Sequence, residues 1–180
     1  FFEGKGFLEP RHFFAVIIWK DKFAKRNIKK GLIKDYPGQS ADESVRDFTT
    51  RISSASTDRE KMEVFLGNGA DIRQQYGFRL AIASALLTII YPEKFTVYDY
   101  RVRRQLRKRG LWDEKPDDIT YETDVVEKYF EKYVSPIKKL ATENHMSLRD
   151  CDRALWAEDW YEDLDRFIDD WSPLAIHTKV

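Results

Sequence analysis

Apolar residues recur along this chain at three- and four-residue spacings rather than at alternate positions, a periodicity that predicts helices throughout. Pro10 is a natural helix start for the run HFFAVIIWKDKFAKRNIKKGLIK, and either Phe13, Val16 and Ile17 or Phe14 and Ile18 can line one face. The first half of this run is apolar nearly all round, which predicts burial, and it turns basic at Lys20 with Gly31 as the expected stop. Trp19, Lys20 and Asp21 fall where the helix would leave the core. Ser40 or Asp42 can cap a helix over Glu43 to Ile52. Thr57 with Glu60 forms a capping box for a helix ending at Leu66, and a short helix over Asp71 to Gln75 follows.

The most apolar stretch, Leu80 to Tyr91, is too short to span a membrane and is expected to be a buried helix. Its Ala81, Ala83, Ser84 and Ala85 are small enough to admit another helix or a backbone at close range. Ser84 is expected to bond back to its own helix. Pro92 ends that helix, Phe95, Val97 and Tyr98 turn inward, and Asp99 stands as the N-cap of a basic helix closed by Gly110. An acidic helix runs through Tyr133, Pro136 breaks or restarts it over Ile137 to Asn144, and Ser147 caps a long last helix. On that last helix Leu148, Leu155, Trp156, Trp160, Leu164, Phe167 and Trp171 are expected to face the core, and residues after Ser172 form a tail. The class predicted is all-α, as a single domain over residues 1–180.

Composition narrows this further. With 42% hydrophobic and 14% aromatic residues the chain can fill a core, which excludes wholesale disorder. A single cysteine, Cys151, excludes an internal disulfide and fits a reducing, cytoplasmic setting. His12, His145 and His177 lie far apart, no glycine-rich phosphate loop with a following lysine occurs, and no Ser or Cys sits in a nucleophile elbow. No metal or other cofactor is therefore expected. The chain opens on FFEGKG rather than Met, so a preceding segment is expected. Thirty-one basic residues balance thirty-one acidic ones, which in sum argues against a dedicated nucleic-acid binder. The distribution is uneven, however: Lys20 to Lys34 carries seven Lys/Arg against one Asp, and Arg101 to Arg109 carries six against none. These segments are either the solvated sides of two helices or the halves of one positive face.

Residues 76–110 resemble the core of the helix-hairpin-helix (HhH-GPD) DNA glycosylase superfamily. The resemblance rests on Gly77-Phe78-Arg79 at the hairpin, Ile82-Ala83-Ser84 in the small-residue helix, Tyr98-Asp99 at the family's aspartate, and Arg104 at its following arginine. A weaker similarity covers Phe14 to Arg26. The segments ASALLT, YPEKFTVYDYRV and SLRDCDRALW are similar to bacterial HhH-GPD-like proteins of unassigned function. The resemblance implies a two-lobed fold with a helical core lobe at about 40–135, the second lobe being formed by helices at 7–34 and 137–171. It implies double-stranded DNA with an extruded base as partner, no membrane, and Asp99 as catalytic carboxylate. Trp19, Lys20, Asp21, Phe78 and Tyr98 would surround the base, and Gly77, Arg79, Leu80, Arg101 and Arg104 would contact DNA. Arg104 could equally pair with an internal carboxylate. Ala81 replaces the lysine of bifunctional members, so Schiff-base lyase chemistry is not implied. Arg79 replaces the second hairpin glycine, and a charge contact would take over from close backbone approach. The four-cysteine motif is absent, so no iron–sulfur cluster is implied.

The chemistry expected is hydrolysis of the N-glycosidic bond of a damaged or modified base, in repair or in defence against foreign DNA. Cleavage builds positive charge on the sugar, and a fixed carboxylate can stabilise it and orient water. The alternatives are a non-catalytic DNA-binding or lesion-sensing module on the same fold, and an all-helical protein-interaction domain with Asp99 as an ordinary cap.

Overall fold

Capping residues set the helix starts. Ser40, rather than Asp42, accepts the Glu43 N–H at 3.3 Å while Glu43 accepts the Ser40 N–H at 2.8 Å. Thr57 and Glu60 repeat the exchange, and Ser147 accepts the Asp150 N–H at 3.0 Å. The computed structural model describes residues 6–67, 78–115 and 118–170, and among these residues every regular element is helical. The helices are α1 (Pro10–Lys20), α2 (Ala24–Asp35), α3 (Ala41–Ser54), α4 (Asp58–Leu66), α5 (Leu80–Ile90) and α6 (Tyr100–Lys108). After a 3₁₀ turn at Ile119–Tyr121 come α7 (Val125–Lys128), a π turn (Tyr129–Val134), α8 (Ser135–Glu143) and α9 (Leu148–Asp169). The helix expected at 71–75 lies outside the described residues, as do Gly77 and Trp171. Among the described residues no helix is long and apolar enough to cross a membrane.

Helix α5 lies in the middle of the buried cluster, with Leu80, Ile82, Ala83, Leu86 and Leu87 almost wholly enclosed. α1 packs on it through Phe13 and Ile17, and α4 packs on it through Phe65. Phe48 and Phe78 stack at 5.4 Å, with Phe13 and Phe65 edge-on to Phe78.

Three expectations from the sequence require correction. The single N-terminal helix is two, because Asp21 turns extended and its carboxylate accepts the Phe23 N–H at 2.9 Å, ending α1 and restarting the chain as α2. Gly31 is not a stop: it is buried inside α2, which ends at Asp35 just before Tyr36, the residue that Pro37 keeps out of helical geometry. Of the two readings of Pro136, the restart is the one formed. The wide π turn before it shifts the hydrogen-bond register, and Pro136 enters α8 in its first turn, where its missing N–H is not needed.

The third correction concerns α9. Leu148, Cys151 and Leu155 are buried, but Trp156, Trp160 and Phe167 are 42%, 41% and 64% exposed. The side of α9 laid against α6 is charged, so aspartates point inward where the apolar pattern placed indoles.

Candidate functional site: a carboxylate between two clefts

The segment before α6 is held by three hydroxyls. Ser84, fully buried on α5, accepts the Tyr98 N–H at 2.8 Å and donates back to the Ala81 carbonyl at 3.2 Å. The back-bond expected of Ser84 is present, and the same oxygen also latches the loop. Two tyrosines of the π turn complete the clamp. Tyr129 accepts the Thr96 N–H at 3.1 Å and donates to the Thr96 carbonyl at 2.6 Å. Tyr133 accepts the Asp99 N–H at 3.1 Å and donates to the Val97 carbonyl at 2.7 Å. Both rings are fully buried, and burial pushes both phenols well above their usual range, so they remain neutral donors.

This clamp presents Asp99 as the N-cap of α6, with Oδ1 accepting the Arg101 N–H at 3.0 Å. Oδ2 meets Lys20 Nζ at 2.5 Å, from the last residue of α1, with side-chain exposures of 17% and 12% respectively. The N-cap read from sequence is therefore present, and the carboxylate also faces a recessed cation seventy-nine positions away in the chain. Tyr133→Phe removes the partner of two backbone groups and is expected to cost about 1–3 kcal/mol in denaturant unfolding. Tyr129→Phe should cost a similar amount without loosening Asp99, so any activity lost only in the first variant reports on the position of the carboxylate.

Two clefts meet at the Lys20–Asp99 pair. One, of about 370 Å³, is lined by Lys20, Arg79, Ala81, Tyr98, Asp99 and Tyr121 among others, and Asp21 also borders it. The Arg79 guanidinium lies 5.8 Å over the Tyr121 ring, and the N-terminus of α5, which has no side-chain cap, opens beside it. The other, of about 380 Å³, runs between α1 and α9 with Trp19 and Trp156 on its rim and Val97, Asp99 and Asp152 deeper in.

The residues expected at the site therefore separate into three groups. Trp19, Lys20, Asp21, Arg79, Tyr98 and Asp99 gather around the two clefts. Tyr98 contributes from beneath: it is 2% exposed, and its hydroxyl accepts the Ile119 N–H at 3.1 Å. Phe78 and Leu80 do not reach the clefts, because each is enclosed in the apolar cluster around α5, so neither can touch a base or phosphate with its side chain.

Arg101 and Arg104 point the other way, toward α9. Arg101 lies 3.0 Å from Asp159 and 2.5 Å from Asp163, and Arg104 lies 2.9 Å and 2.8 Å from the same two carboxylates. Of the two readings open for Arg104, the internal pair is the one formed, and Arg101 shares it. Lys108 pairs with Glu162 and Arg109 with Glu158, so the basic face of α6 is neutralised by the acidic face of α9. Hydrogen bonds from Arg104 and Arg101 hold the Asp163 carboxyl down at about 2. The single positive face built from both basic segments is not formed. The exposed cations that line the clefts are Arg79 and Arg153, and on α2 Lys25, Arg26, Lys29, Lys30 and Lys34 face solvent and pair with no carboxylate among the described residues.

The sequence reading misses the contribution of α9. Arg149, Asp152, Arg153 and Trp156 recur at three- and four-residue steps inside SLRDCDRALW, and all four line the second cleft. Asp152 is 3% exposed and accepts from Arg149 at 2.5 Å. Burial pushes its carboxyl above the ordinary range, and the Arg149 guanidinium opposes that rise. The helical spacing is the available signal, and it fits a core-facing stripe equally well.

Among the described residues no group of His, Cys, Asp and Glu is arranged to hold a metal ion. Comparison with protein-family models, with curated proteins and with solved structures gives no match.

Proposed function

We propose that this chain is a monofunctional DNA glycosylase of HhH-GPD-like, two-lobed architecture, with Asp99 as the carboxylate that acts on the sugar of an extruded nucleotide. The observation that carries this reading is the recessed Lys20–Asp99 pair at the junction of two clefts, its carboxylate fixed by an N-cap and a tyrosine-anchored backbone. A reaction that develops an oxocarbenium-like sugar needs a negative charge held at a fixed position, and the cap and the Tyr133-anchored backbone hold the Asp99 carboxylate in that way. Phosphate oxygens arriving at the Arg79 side compete for Lys20, whose release frees Oδ2 to face the anomeric carbon or a water. Arg79, Lys20 and the uncapped start of α5 supply the local phosphate contacts, and the exposed lysines of α2 supply the longer-range field.

The test is a panel of duplexes, each carrying one damaged or modified base, incubated with the protein and then treated with alkali. Strand scission that requires alkali is the expected result, because Ala81 leaves no lysine on α5 to form a Schiff base. Lys20 shares a cleft with Ala81, so borohydride trapping on a preformed abasic duplex is the companion measurement. The hydrolytic reading expects no adduct, and an adduct lost in Lys20→Met would reassign the amine as nucleophile.

A non-catalytic DNA-binding module is favoured by one specific observation, the engagement of both Asp99 oxygens by partners from the protein itself. Salt-dependent duplex binding with no abasic product across the panel would support that reading. Under either reading, replacing Lys25, Arg26, Lys29 and Lys30 together by Gln should weaken duplex binding and flatten the dependence of log K on log salt. The slope should fall by roughly one for each phosphate that these side chains no longer neutralise. An unchanged slope would remove α2 from the interface.

A further inference from the structure

The cleft between α1 and α9 has a graded wall. Trp19 and Trp156 are 63% and 42% exposed at its rim, while Val97 and Asp152 are 6% and 3% exposed at its floor. Single exposed apolar side chains are ordinary, but here an indole projects from each of the two helices that border one recess. Trp156 is also fixed from behind. The Arg101 guanidinium sits 5.7 Å from the centre of its ring and is itself held by Asp159 and Asp163. The floor is polar and ordered: the Asp152 carboxylate with Arg149 beside it forms an acceptor next to a donor. A volume of about 380 Å³ holds one planar heteroaromatic ring system.

We propose that this cleft receives the extruded base, stacked against Trp19 and Trp156, and that the Asp152–Arg149 pair reads its edge, selecting a base that presents an amino or ring N–H next to an acceptor. The proposal rests on the glycosylase reading for the identity of the ligand as a nucleotide in DNA, and it adds the substrate class. Stacking on an indole tolerates any base, because every base has a π face, so the rim supplies affinity without choice. The choice comes from the floor. One Asp152 oxygen accepts from Arg149, so the other is the one that meets the base, and it accepts from an N–H there but repels a bare acceptor. Asp99, which borders the same cleft, is then placed for the sugar attached to that base. Asp99 and Asp152 thus have different roles, one at the sugar and one at the base.

The experiment uses wild-type protein and fluorescein-labelled duplexes carrying 2-aminopurine or unsubstituted purine opposite cytosine. A 2′-fluoro sugar keeps the glycosidic bond intact, and a matched duplex serves as reference. Wild type should bind the mispaired 2-aminopurine duplex about tenfold more tightly than the matched one. Trp156→Ala and Trp19→Ala should each lose most of that preference while matched-duplex affinity stays constant. Both side chains are exposed, so circular dichroism should show an unchanged fold. Asp152→Asn should retain stacking but lose a several-fold preference for 2-aminopurine over purine. A wild type without preference for the mispaired duplex, or tryptophan variants that keep it, would overturn the proposal. Base excision unaffected by all three substitutions would also overturn it and leave the glycosylase reading intact. The expected binding pattern with no excision from any duplex in the panel would leave the base cleft established and remove the enzyme.

Discussion

Asp99→Asn should reduce abasic-site formation by at least about a hundredfold while leaving the protein folded and able to bind duplex DNA. The substitution is chosen because the residue has two separable jobs. As N-cap it accepts the Arg101 N–H at 3.0 Å, a role asparagine fills about as well as aspartate. As a charge it faces Lys20 across 2.5 Å, and the amide oxygen can still accept from that ammonium. Stability should therefore change by about 1 kcal/mol or less, because the pair is only partly buried and the cap survives. Only the negative charge is removed. Asp99→Ala is the contrasting variant: it loses the cap and the oxygen that accepts from Lys20 as well as the charge, so its melting temperature should fall further than that of Asp99→Asn. Equal abasic yields from wild type and Asp99→Asn would exclude Asp99 from the chemistry, and a loss of duplex binding in Asp99→Asn would reassign it to positioning.

The parts of this architecture that are legible in the sequence are those governed by neighbours in the chain. The capping boxes at Ser40 and Thr57 and the cap at Ser147 all depend on residues three positions apart, and all form. The small-residue run of α5 correctly signals a close approach, and the partner is the backbone at Tyr98, bound by the Ser84 hydroxyl. What is not legible is which surface each charged helix meets. The arginines of α6 and the aspartates of α9 lie more than fifty positions apart, and each segment alone reads as a solvated face. Once they pair, Arg101 and Arg104 no longer face outward, and Trp156 of α9 moves from the expected core to the rim of a cleft. One long-range pairing therefore accounts both for the inward ion pairs of Arg101 and Arg104 and for the exposure of Trp156, which the sequence pattern placed in the core. It also explains why Asp152 escapes a reading of the sequence, since its cleft exists only after α9 has docked on α6 and so come to face α1.

That pairing makes Asp159 the residue whose loss should cost the most stability. It is fully buried, accepts from Arg101 at 3.0 Å and from Arg104 at 2.9 Å, and lies within 3.4 Å of Gln105 Nε2. Asp159→Ala leaves two guanidinium groups sharing Asp163 over a newly emptied space. The expected loss is about 3 kcal/mol in urea unfolding, the low end for breaking a buried charge network, because Asp163 still neutralises part of the charge. Replacing Asp159, Arg101 and Arg104 together by apolar residues of similar size should recover most of that loss, since the cost lies in stranding charge rather than in lacking it. A triple variant no more stable than Asp159→Ala would show instead that the pairing itself supplies the stability. Acid provides an independent probe of the same contact. Asp163 is held down at about 2 in the folded chain against an ordinary 3.8, so its contribution is complete above about pH 4 and is lost as pH falls toward 2. Asp163→Asn should accordingly flatten the stability profile between those values and leave its shape above pH 5 unchanged. The same variant frees one side of Arg101, the group that backs Trp156, so a weakened preference for mispaired 2-aminopurine at neutral pH would tie the α6–α9 network to the base cleft.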